Sequence, residues 1–285
     1  MRPNRSAELP RTIHLHLTSV GAGSTPDVIQ RAVAFAKAVG AGLDVTIAGV
    51  AFAQLRQRSR AEAIGLGVEL LEADPSRRAA DLASQVRSVC DSMSVAAQIE
   101  TYWLEPESPD RYASAVARCS DFTMLGLAAD DDCGRRSAED LLTASGRPVL
   151  AWPAQRPSRV SLDRVFVAWD QSAAAARAVF GALPLLKRAG EVSVVAVETD
   201  EGPCVSNPAG RLCAYLAGHN IPARPRTLLA EGRGVGGVLA DAALEWGATL
   251  VVMGAYGRPR ARELLLGRTT RRMLSDPRLP LLLAH

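Results

Sequence analysis

The sequence predicts an α/β protein made of two similar doubly wound domains in tandem. Three observations lead to this prediction: short apolar stretches alternate with helical stretches of about 10 to 15 residues, this pattern occurs twice, and a proline-containing segment separates the copies. Strands that are buried on both faces of a parallel sheet are almost continuously apolar, as "VSVVAV" and "LVVM" are. We therefore expect two five-stranded parallel sheets in the flavodoxin-like order, each with helices on both faces.

Composition supports a folded protein and excludes several classes. The chain has 285 residues, of which 48% are hydrophobic and 22% charged, so it can form two cores and is neither disordered nor fibrous. The net charge of +3 gives no reason to expect a nucleic-acid or membrane partner. The five cysteines form no C-x-x-C pair, and no apolar run approaches the roughly 18 residues of a membrane span. We expect a cytoplasmic protein.

The repeat sets the expected domain boundary. Segments 121–153 and 248–285 each read as an apolar strand ending near glycine, a polar loop, a helix, a proline turn and a second apolar strand. The segment "WPAQRPSRVSLD" between the copies has two prolines and no periodicity, which is typical of a linker. We predict an N-terminal domain over residues 1–155 and a C-terminal domain over residues 156–285.

The elements follow in chain order. In the first copy we predict strands near 12–18, 43–50, 96–103, 121–126 and 148–152, whereas its long second crossover does not reveal its elements. In the second copy we predict strands at 164–169, 191–198, 223–230, 249–254 and 280–284, and helices at 172–188, 207–217, 235–246 and 269–274.

A candidate binding site lies in the second copy. In an open parallel sheet, ligands bind outside the carboxyl ends of the strands, where the strand order reverses. Asp170 follows the first strand of this copy and Gly254 ends its fourth, so the two residues face one crevice if those strands are neighbours. Gly254 and Gly257 allow close approach of the backbone to a ligand, and Gly267 precedes a helix whose first N–H groups can bind an anion.

The charge of the two copies differs at this place. From residue 258 to residue 272 there are six arginines and one glutamate, and Thr269 and Thr270 add hydroxyl groups. The first copy has three arginines against five acids over residues 130–147, Ala129 in the place of Gly257, and Thr18 or Ser19 in the place of Asp170. The first copy would repel phosphates, so we expect one anion site in the chain.

The spacing of Gly254, Gly257 and Gly267, together with an aspartate that closes the first strand, resembles the universal stress protein family in its tandem form. The resemblance extends over both copies and is strongest in 164–170 and 230–285. It implies that the second copy binds ATP or another adenine nucleotide, with or without Mg. The nucleotide-binding residues that it implies are Asp170, Val197, Met253, Gly254, Gly257, Arg258, Gly267, Arg268, Thr269 and Thr270.

The roles of these residues also come from the resemblance. Asp170 would accept hydrogen bonds at the adenine end and the Val197 backbone would contact adenine, whereas the three glycines would line the ribose and phosphates. Where the family has Ser or Thr after its third glycine, this chain has Arg268, which either clamps a phosphate or fills its place.

The implied function is that of a stress-response regulator or sensor. We expect no dedicated enzyme and at most a slow ATPase, because no residue stands out as a base that would activate water. The apolar terminal strands "PVLAW" and "PLLLA" need partners, so the copies would form an intramolecular pseudo-dimer. An unknown protein partner and a further homodimer stay open. The alternative is a structural or protein-interaction module with a vestigial site. An enzyme of another nucleotide-binding α/β family is disfavoured, because no phosphate loop follows the first strand.

Other patterns have plainer interpretations. "GRGVGG" follows a third strand, so we interpret it as a strand-to-helix turn and not as a dinucleotide fingerprint. The acids at 130–132 are typical of a solvated face more than of a metal site, and His14 and His16 share one face of a strand as structural residues. Asp170 also suits the N-cap of the helix that follows it.

Overall fold

The fold comes from a computed structural model. It describes residues 12–20, 22–50, 75–104, 110–155, 161–198, 206–256 and 268–285. We call β1 to β5 and their helices the N-terminal half, and β6 to β10 and their helices the C-terminal half.

Strands and helices alternate through the described chain. The N-terminal half contains β1 (Thr12–Thr18), α1 (Pro26–Val39), β2 (Gly42–Val50), α2 (Pro75–Met93), β3 (Ala97–Leu104), α3 (Arg111–Arg118), β4 (Phe122–Leu127), α4 (Asp132–Ala144) and β5 (Val149–Pro153). The C-terminal half contains β6 (Arg164–Ala168), α5 (Ala173–Leu186), β7 (Glu191–Glu198), α6 (Pro208–Gly218), β8 (Arg224–Leu229), α7 (Val235–Glu245), β9 (Leu250–Gly254), α8 (Arg268–Ser275) and β10 (Leu281–Ala284). In the second crossover of the N-terminal half, the described residues form α2, a helix that the sequence did not predict.

Local sequence explains where the helices begin and end. In α1, the Thr25 hydroxyl accepts a hydrogen bond from the Val28 N–H, Pro26 occupies the first turn, and Gly40 ends the helix at φ 75°. The side-chain oxygen of a residue such as threonine accepts a hydrogen bond from an N–H group at the helix start that has no partner inside the helix. Glycine adopts the left-handed conformation at the helix end without strain.

All ten described strands form one sheet in the order β3-β2-β1-β4-β5-β10-β9-β6-β7-β8. The strands are parallel within each half, as predicted, and β5 pairs with β10 in the antiparallel sense. Leu282 lies opposite Leu150 in that central pair. The two apolar terminal strands therefore satisfy each other's edges.

Helices cover both faces of this sheet. One core cluster joins the sheet to α1, α2, α5 and α6, and a second joins it to α3, α4, α7 and α8. Each cluster contains residues from both halves, so the halves share their hydrophobic cores. This arrangement places the carboxyl ends of β9, β6 and β7 side by side in the C-terminal half.

Candidate functional site

The strands that carry Asp170 and Gly254 are neighbours, as the candidate site requires. β6 pairs with β9 in a register that places Ala168 opposite Met253. Asp170 comes two residues after Ala168 and Gly254 one residue after Met253, so both lie at the same edge of the sheet. The strand order reverses between β6 and β9 relative to the chain, which is where ligands of doubly wound sheets bind.

Asp170 is exposed at this edge. Its Oδ1 accepts a hydrogen bond from the Ser172 N–H at 3.0 Å, and the intervening Gln171 has φ 64°. The N-cap of α5 is Ser172, whose hydroxyl accepts from the Ala175 N–H at 3.1 Å. The interpretation of Asp170 as the N-cap is therefore wrong, because the helix begins two residues later. The second carboxylate oxygen of Asp170 faces no described hydrogen-bond donor.

Gly254 has a packing role that the sequence did not predict. A Cβ at this position would lie 2.4 Å from the backbone nitrogen of Ala175 and 2.8 Å from the carbonyl carbon of Ala174. The end of β9 therefore touches the backbone of the first turn of α5. The missing side chain lets strand and helix meet there, and contact of Gly254 with a nucleotide stays a prediction.

Val197 and Met253 border the same edge. Val197 is the next-to-last residue of β7 and is half-buried opposite Leu228. Met253 is 4% exposed, so its side chain belongs to the core and only its backbone reaches the edge. Contact of Val197 and Met253 with a nucleotide stays a prediction.

The phosphate side of the predicted site is described only in part. Gly257, Arg258 and Gly267 lie outside the described residues, and Arg268 begins α8 with a side chain that lies outside them too. Thr269 is half-buried and Thr270 is 3% exposed on α8.

Tyr256 and His285 complete the described edge, and sequence reasoning missed both. The Thr270 hydroxyl lies 3.4 Å from the Tyr256 N–H, and Nδ1 of His285 lies 3.2 Å from the Ala255 carbonyl oxygen. The rings of Tyr256 and His285 meet at 5.8 Å between centroids. Tyr256 stands between Gly254 and Gly257, and neither it nor His285 is part of a sequence pattern that indicates a place at this edge.

The same place in the N-terminal half is closed by the chain itself. Gly126 is the counterpart of Gly254, and a Cβ on it would lie 2.0 Å from the Gly23 carbonyl oxygen. Asp131 accepts hydrogen bonds from the Gly134 N–H at 3.0 Å and from the Ala22 N–H at 3.1 Å. This carboxylate therefore takes the N-terminal N–H of α4 and a loop N–H, where an anion would otherwise bind.

The connections of the two halves differ in length at this place. Residues 127–131 join Gly126 to α4, whereas residues 255–267 join Gly254 to α8. The acids at 130–132 therefore do more than form a solvated face, because Asp131 is the N-cap of α4. Asp132 pairs with Arg135 at 2.6 Å, and this hydrogen bond, with the charges of Arg135, Arg136 and Arg271, lowers the pKa of Asp132.

The "GRGVGG" segment serves helix packing. Gly232 turns the chain at φ 75°, Gly234 is the N-cap of α7, and Gly236 lies in the first turn of that helix. A Cβ on Gly236 would lie 3.2 Å from the Cα of Thr269, so this glycine lets α7 approach α8 closely.

The N-terminal half contains a buried network of hydrogen bonds whose partners the sequence did not predict. The Thr46 hydroxyl is hydrogen-bonded to His14 Nε2 at 2.7 Å and to His16 Nδ1 at 3.1 Å, and His14 Nδ1 lies 3.1 Å from the Thr123 hydroxyl. Burial, and then the neighbouring His16, lower the pKa of His14 to about 3. Burial also lowers the pKa of His16, against the charge of Asp110 at 3.8 Å. The network is structural, as predicted for the two histidines.

Within the described ranges, no group of three or more His, Cys, Asp or Glu side chains could hold a metal ion. Among the helices described, none is long and apolar enough to cross a membrane.

Comparison with known proteins finds a family match in the C-terminal half. The universal stress protein family model matches residues 161–285, whereas no curated protein sequence matches the chain. A universal stress protein from Archaeoglobus fulgidus DSM 4304 is similar in structure, with a TM-score of 0.68 at 16% identity over 95% of this chain and 97% of that one.

Two structures from Pseudomonas aeruginosa are also similar. A putative universal stress protein from strain UCBPP-PA14 has a TM-score of 0.55 at 14% identity, over 98% of this chain and 94% of that one. A protein of unknown function from strain PAO1 has a TM-score of 0.56 at 15% identity, over 98% of this chain and 93% of that one. These chains share the fold of both halves. Residues 161–285 therefore match the universal stress protein family, and the chain as a whole shares the fold of a two-domain universal stress protein.

Proposed function

We propose that this chain is a universal stress protein of the tandem form that binds ATP or another adenine nucleotide in its C-terminal half and acts as a regulator or sensor of the stress response. The observation that carries the proposal is the contrast between the two halves. The C-terminal half presents the exposed carboxylate of Asp170 where β6 and β9 end. The N-terminal half fills the same place with Asp131 and the Gly23–Gly126 contact.

The chemistry of the C-terminal edge suits an adenine nucleotide. Asp170 is an acceptor for the donors of adenine or ribose, and the Val197 backbone lies at the end of the neighbouring strand. Thr269 and Thr270 lie in the first turn of α8, where the helix dipole and free N–H groups favour phosphate. Gly257, Arg258, Gly267 and Arg268 complete the proposed residues, with Mg as an accompanying ion.

The proposal includes the organisation of the chain. Domains of residues 1–155 and 156–285 would pair through β5 and β10 as an intramolecular pseudo-dimer in the cytoplasm, without a nucleic-acid or membrane partner. The protein that receives the signal, and a further homodimer, are matters for pull-down and sedimentation experiments.

One observation favours a second candidate function, a protein-interaction module without a ligand. The packing of Gly254 against Ala175 explains that glycine without any nucleotide. In this case the C-terminal site would be vestigial, as the N-terminal one is.

The experiment that separates the two is a binding measurement on the full chain. The purified protein is denatured and assayed for released nucleotide, and ATP binding is measured by calorimetry with and without Mg. We expect one ATP per chain and binding that is about tenfold weaker or more in Asp170→Ala, because a hydrogen bond to a charged acceptor is lost.

The matched control is Asp163→Ala. Asp163 lies at the opposite end of β6, where its carboxylate accepts a hydrogen bond from the Ser161 hydroxyl at 2.7 Å. This variant should bind ATP as the wild type does. No released nucleotide together with no ATP binding would favour the interaction module, and two ATP molecules per chain would contradict the proposed difference between the halves.

A further inference from the structure

Strand β8 forms one end of the ten-stranded sheet and leaves an edge open. It pairs with β7 on one side and has no strand on its other side among the described residues. Leu229 at the end of β8 is a large apolar side chain that is 60% exposed. An open edge strand offers N–H and C=O groups to a strand of another molecule.

One hydrogen bond shows which residues of β8 face outwards. The Ala230 N–H donates to the Glu198 carbonyl oxygen of β7 at 3.2 Å. Successive residues of a strand direct their backbone groups to opposite sides, so Thr227 and Leu229 direct theirs away from β7. Pro225 lies on the same outer side and has no N–H. Thr227 and Leu229 are therefore the residues of β8 that can both donate to an added strand and accept from it.

An acidic groove lies beside this edge, between β8 and α7. It has a volume of about 300 Å³, and its acidic side chains are Glu231, Asp241 and Glu245. Arg233 also lines the groove, and it forms an ion pair with Asp241. Within the part of the chain that the structure describes, Glu231 and Glu245 form no ion pair. The groove therefore has a negative charge that a basic side chain could neutralise.

The beginning of β8 has the opposite charge. Arg224 and Arg226 are exposed, and neither forms an ion pair with another described residue. Arg226 lies opposite Val195, whose side chain belongs to the core cluster that contains Leu239 of α7, so both arginines lie on the face of the sheet that carries the groove. The edge is basic where β8 begins and acidic where it ends. Two such edges complement each other when they run antiparallel.

We propose that β8 is the interface of a homodimer in which the β8 strands of two copies pair in the antiparallel sense and continue the sheet from one copy into the other. A second copy fits this edge because the surface is complementary to itself, as a two-fold interface requires. The opposite edge of the sheet does not have this property, because β3 has Glu100 and no basic side chain. The inference goes beyond the proposed function and does not depend on a bound nucleotide.

The position of Pro225 selects the register of this pair. With Leu228 at the two-fold axis, Thr227 of each copy exchanges both backbone hydrogen bonds with Leu229 of the other. With Thr227 at the axis, Pro225 would lie opposite Leu229 and leave its carbonyl oxygen without a donor. The axis therefore passes through Leu228.

This register also brings the opposite charges together. Arg226 of each copy lies opposite Ala230 of the other, next to Glu231 and on the face that carries the groove. The dimer thus contains two equivalent pairs of Arg226 with Glu231, one on each side of the axis.

Sedimentation of the full chain over a wide range of protein concentration tests the interface. We expect the wild type to show a reversible equilibrium between monomer and dimer, with and without ATP. Thr227→Pro removes an outward N–H and leaves the hydrogen bonds of β8 to β7 in place, so it should raise the Kd of the dimer about tenfold or more.

The matched control is Thr101→Pro at the opposite edge. The Leu43 N–H donates to the Ala96 carbonyl oxygen at 2.9 Å, so Thr101 of β3 directs its backbone groups away from β2. Thr101 is also exposed. This variant should keep the wild-type Kd of the dimer.

A charge exchange tests the register without a change in the backbone. Arg226→Glu and Glu231→Arg each place like charges together across the axis and should each raise the Kd of the dimer about tenfold. The double variant restores the opposite charges and should return the Kd to within about threefold of the wild-type value. Arg87→Glu, which changes an exposed residue of α2, makes the same change of charge and should leave the Kd unchanged.

The outcomes decide the inference. A wild type that sediments as a monomer at every concentration overturns it, and so does a dimer that Thr101→Pro weakens and Thr227→Pro does not. A dimer whose Kd the charge variants leave unchanged, or polymers longer than a dimer, also overturn it. The charge variants keep the test decisive if Thr227→Pro does not fold. ATP binding is measured separately by calorimetry, so failure of this inference leaves the proposed function untouched.

Discussion

The Cβ that Gly254 lacks would lie 2.4 Å from the backbone nitrogen of Ala175. Strand β9 and helix α5 thus touch through their backbones at the edge where the nucleotide is proposed to bind. A backbone contact cannot relax as the end of a flexible side chain can, so residue 254 tolerates only glycine unless strand or helix moves.

We therefore expect Gly254→Ala to destabilise the protein by about 1–3 kcal/mol. Denaturant unfolding would measure this loss. Gly237→Ala in α7 is the control, because a Cβ there meets nothing within 4 Å, and it should be neutral or stabilising by about 0.5–1 kcal/mol. Equal stability of the two variants would contradict the packing role. Loss of ATP binding in Gly254→Ala would not by itself show contact with ATP.

Variants of Ser172 and Asp170 should separate the effect of a helix cap on stability from the effect of a ligand residue on ATP binding. Ser172→Ala removes the side-chain acceptor of the Ala175 N–H and should cost about 1 kcal/mol of unfolding free energy. ATP binding should remain, because Asp170 is retained. Asp170→Ala should show the reverse pattern, with a large loss of affinity and a smaller loss of stability. Thermal unfolding and calorimetry on both variants check this, and matched losses of affinity would argue against a ligand role for Asp170.

Asp131, the carboxylate that occupies the corresponding edge of the N-terminal half, should contribute to stability and not to ATP binding. Asp131→Ala leaves the N–H groups of Ala22 and Gly134 without their acceptor and should cost about 1–2 kcal/mol. Asp132→Ala, one residue on, removes a carboxylate with an 82% exposed side chain and should change stability by about 0.5 kcal/mol or less. Chemical denaturation measures both. A second ATP site that appears in Asp131→Ala would mean that Asp131 alone closes this half.

The buried histidines predict that acid destabilises the fold. The pKa of His14 is lowered to about 3 and that of His16 is also lowered, so the folded chain binds fewer protons than the unfolded chain below the ordinary pKa of 6.5. Stability should be fully present above about pH 6.5 and fall below it, by about 1.4 kcal/mol per pH unit for each histidine that stays neutral.

Unfolding free energies between pH 8 and pH 4 test this prediction. His14→Phe, which places the residue found at the counterpart position 166 of the C-terminal half, should reduce the slope. His219→Gln changes a residue that packs on Tyr215 at the end of α6, and it should keep the wild-type slope. The same slope in His14→Phe as in the wild type would contradict the assignment.

The sequence predicted the sheet and the edge of the candidate site, because both depend on local pattern. Strands such as "LVVM" are buried on both faces, and their apolar runs show this directly. The place of Asp170 and Gly254 follows from the strand order. The Gly254–Ala175 contact could not be predicted, since it depends on how closely two elements approach in space.

Other features had no pattern that sequence reasoning could use. The left-handed Tyr256 follows from contacts with Thr270 and His285, which are distant along the chain. The network of His14 and His16 depends on Thr46 and Thr123 in neighbouring strands, so only the register of the sheet reveals it. A polar residue in a strand gives no indication in the sequence of which residue in a neighbouring strand it will form a hydrogen bond with.

The antiparallel pairing of β5 with β10 joins two halves of one polypeptide. Between separate subunits, such a pair would come apart on dilution, because association depends on protein concentration. A covalent connection replaces that dependence with an effective local concentration in about the millimolar range. The two halves therefore stay together at any expression level, and each can change its sequence without having to fit an identical copy of itself.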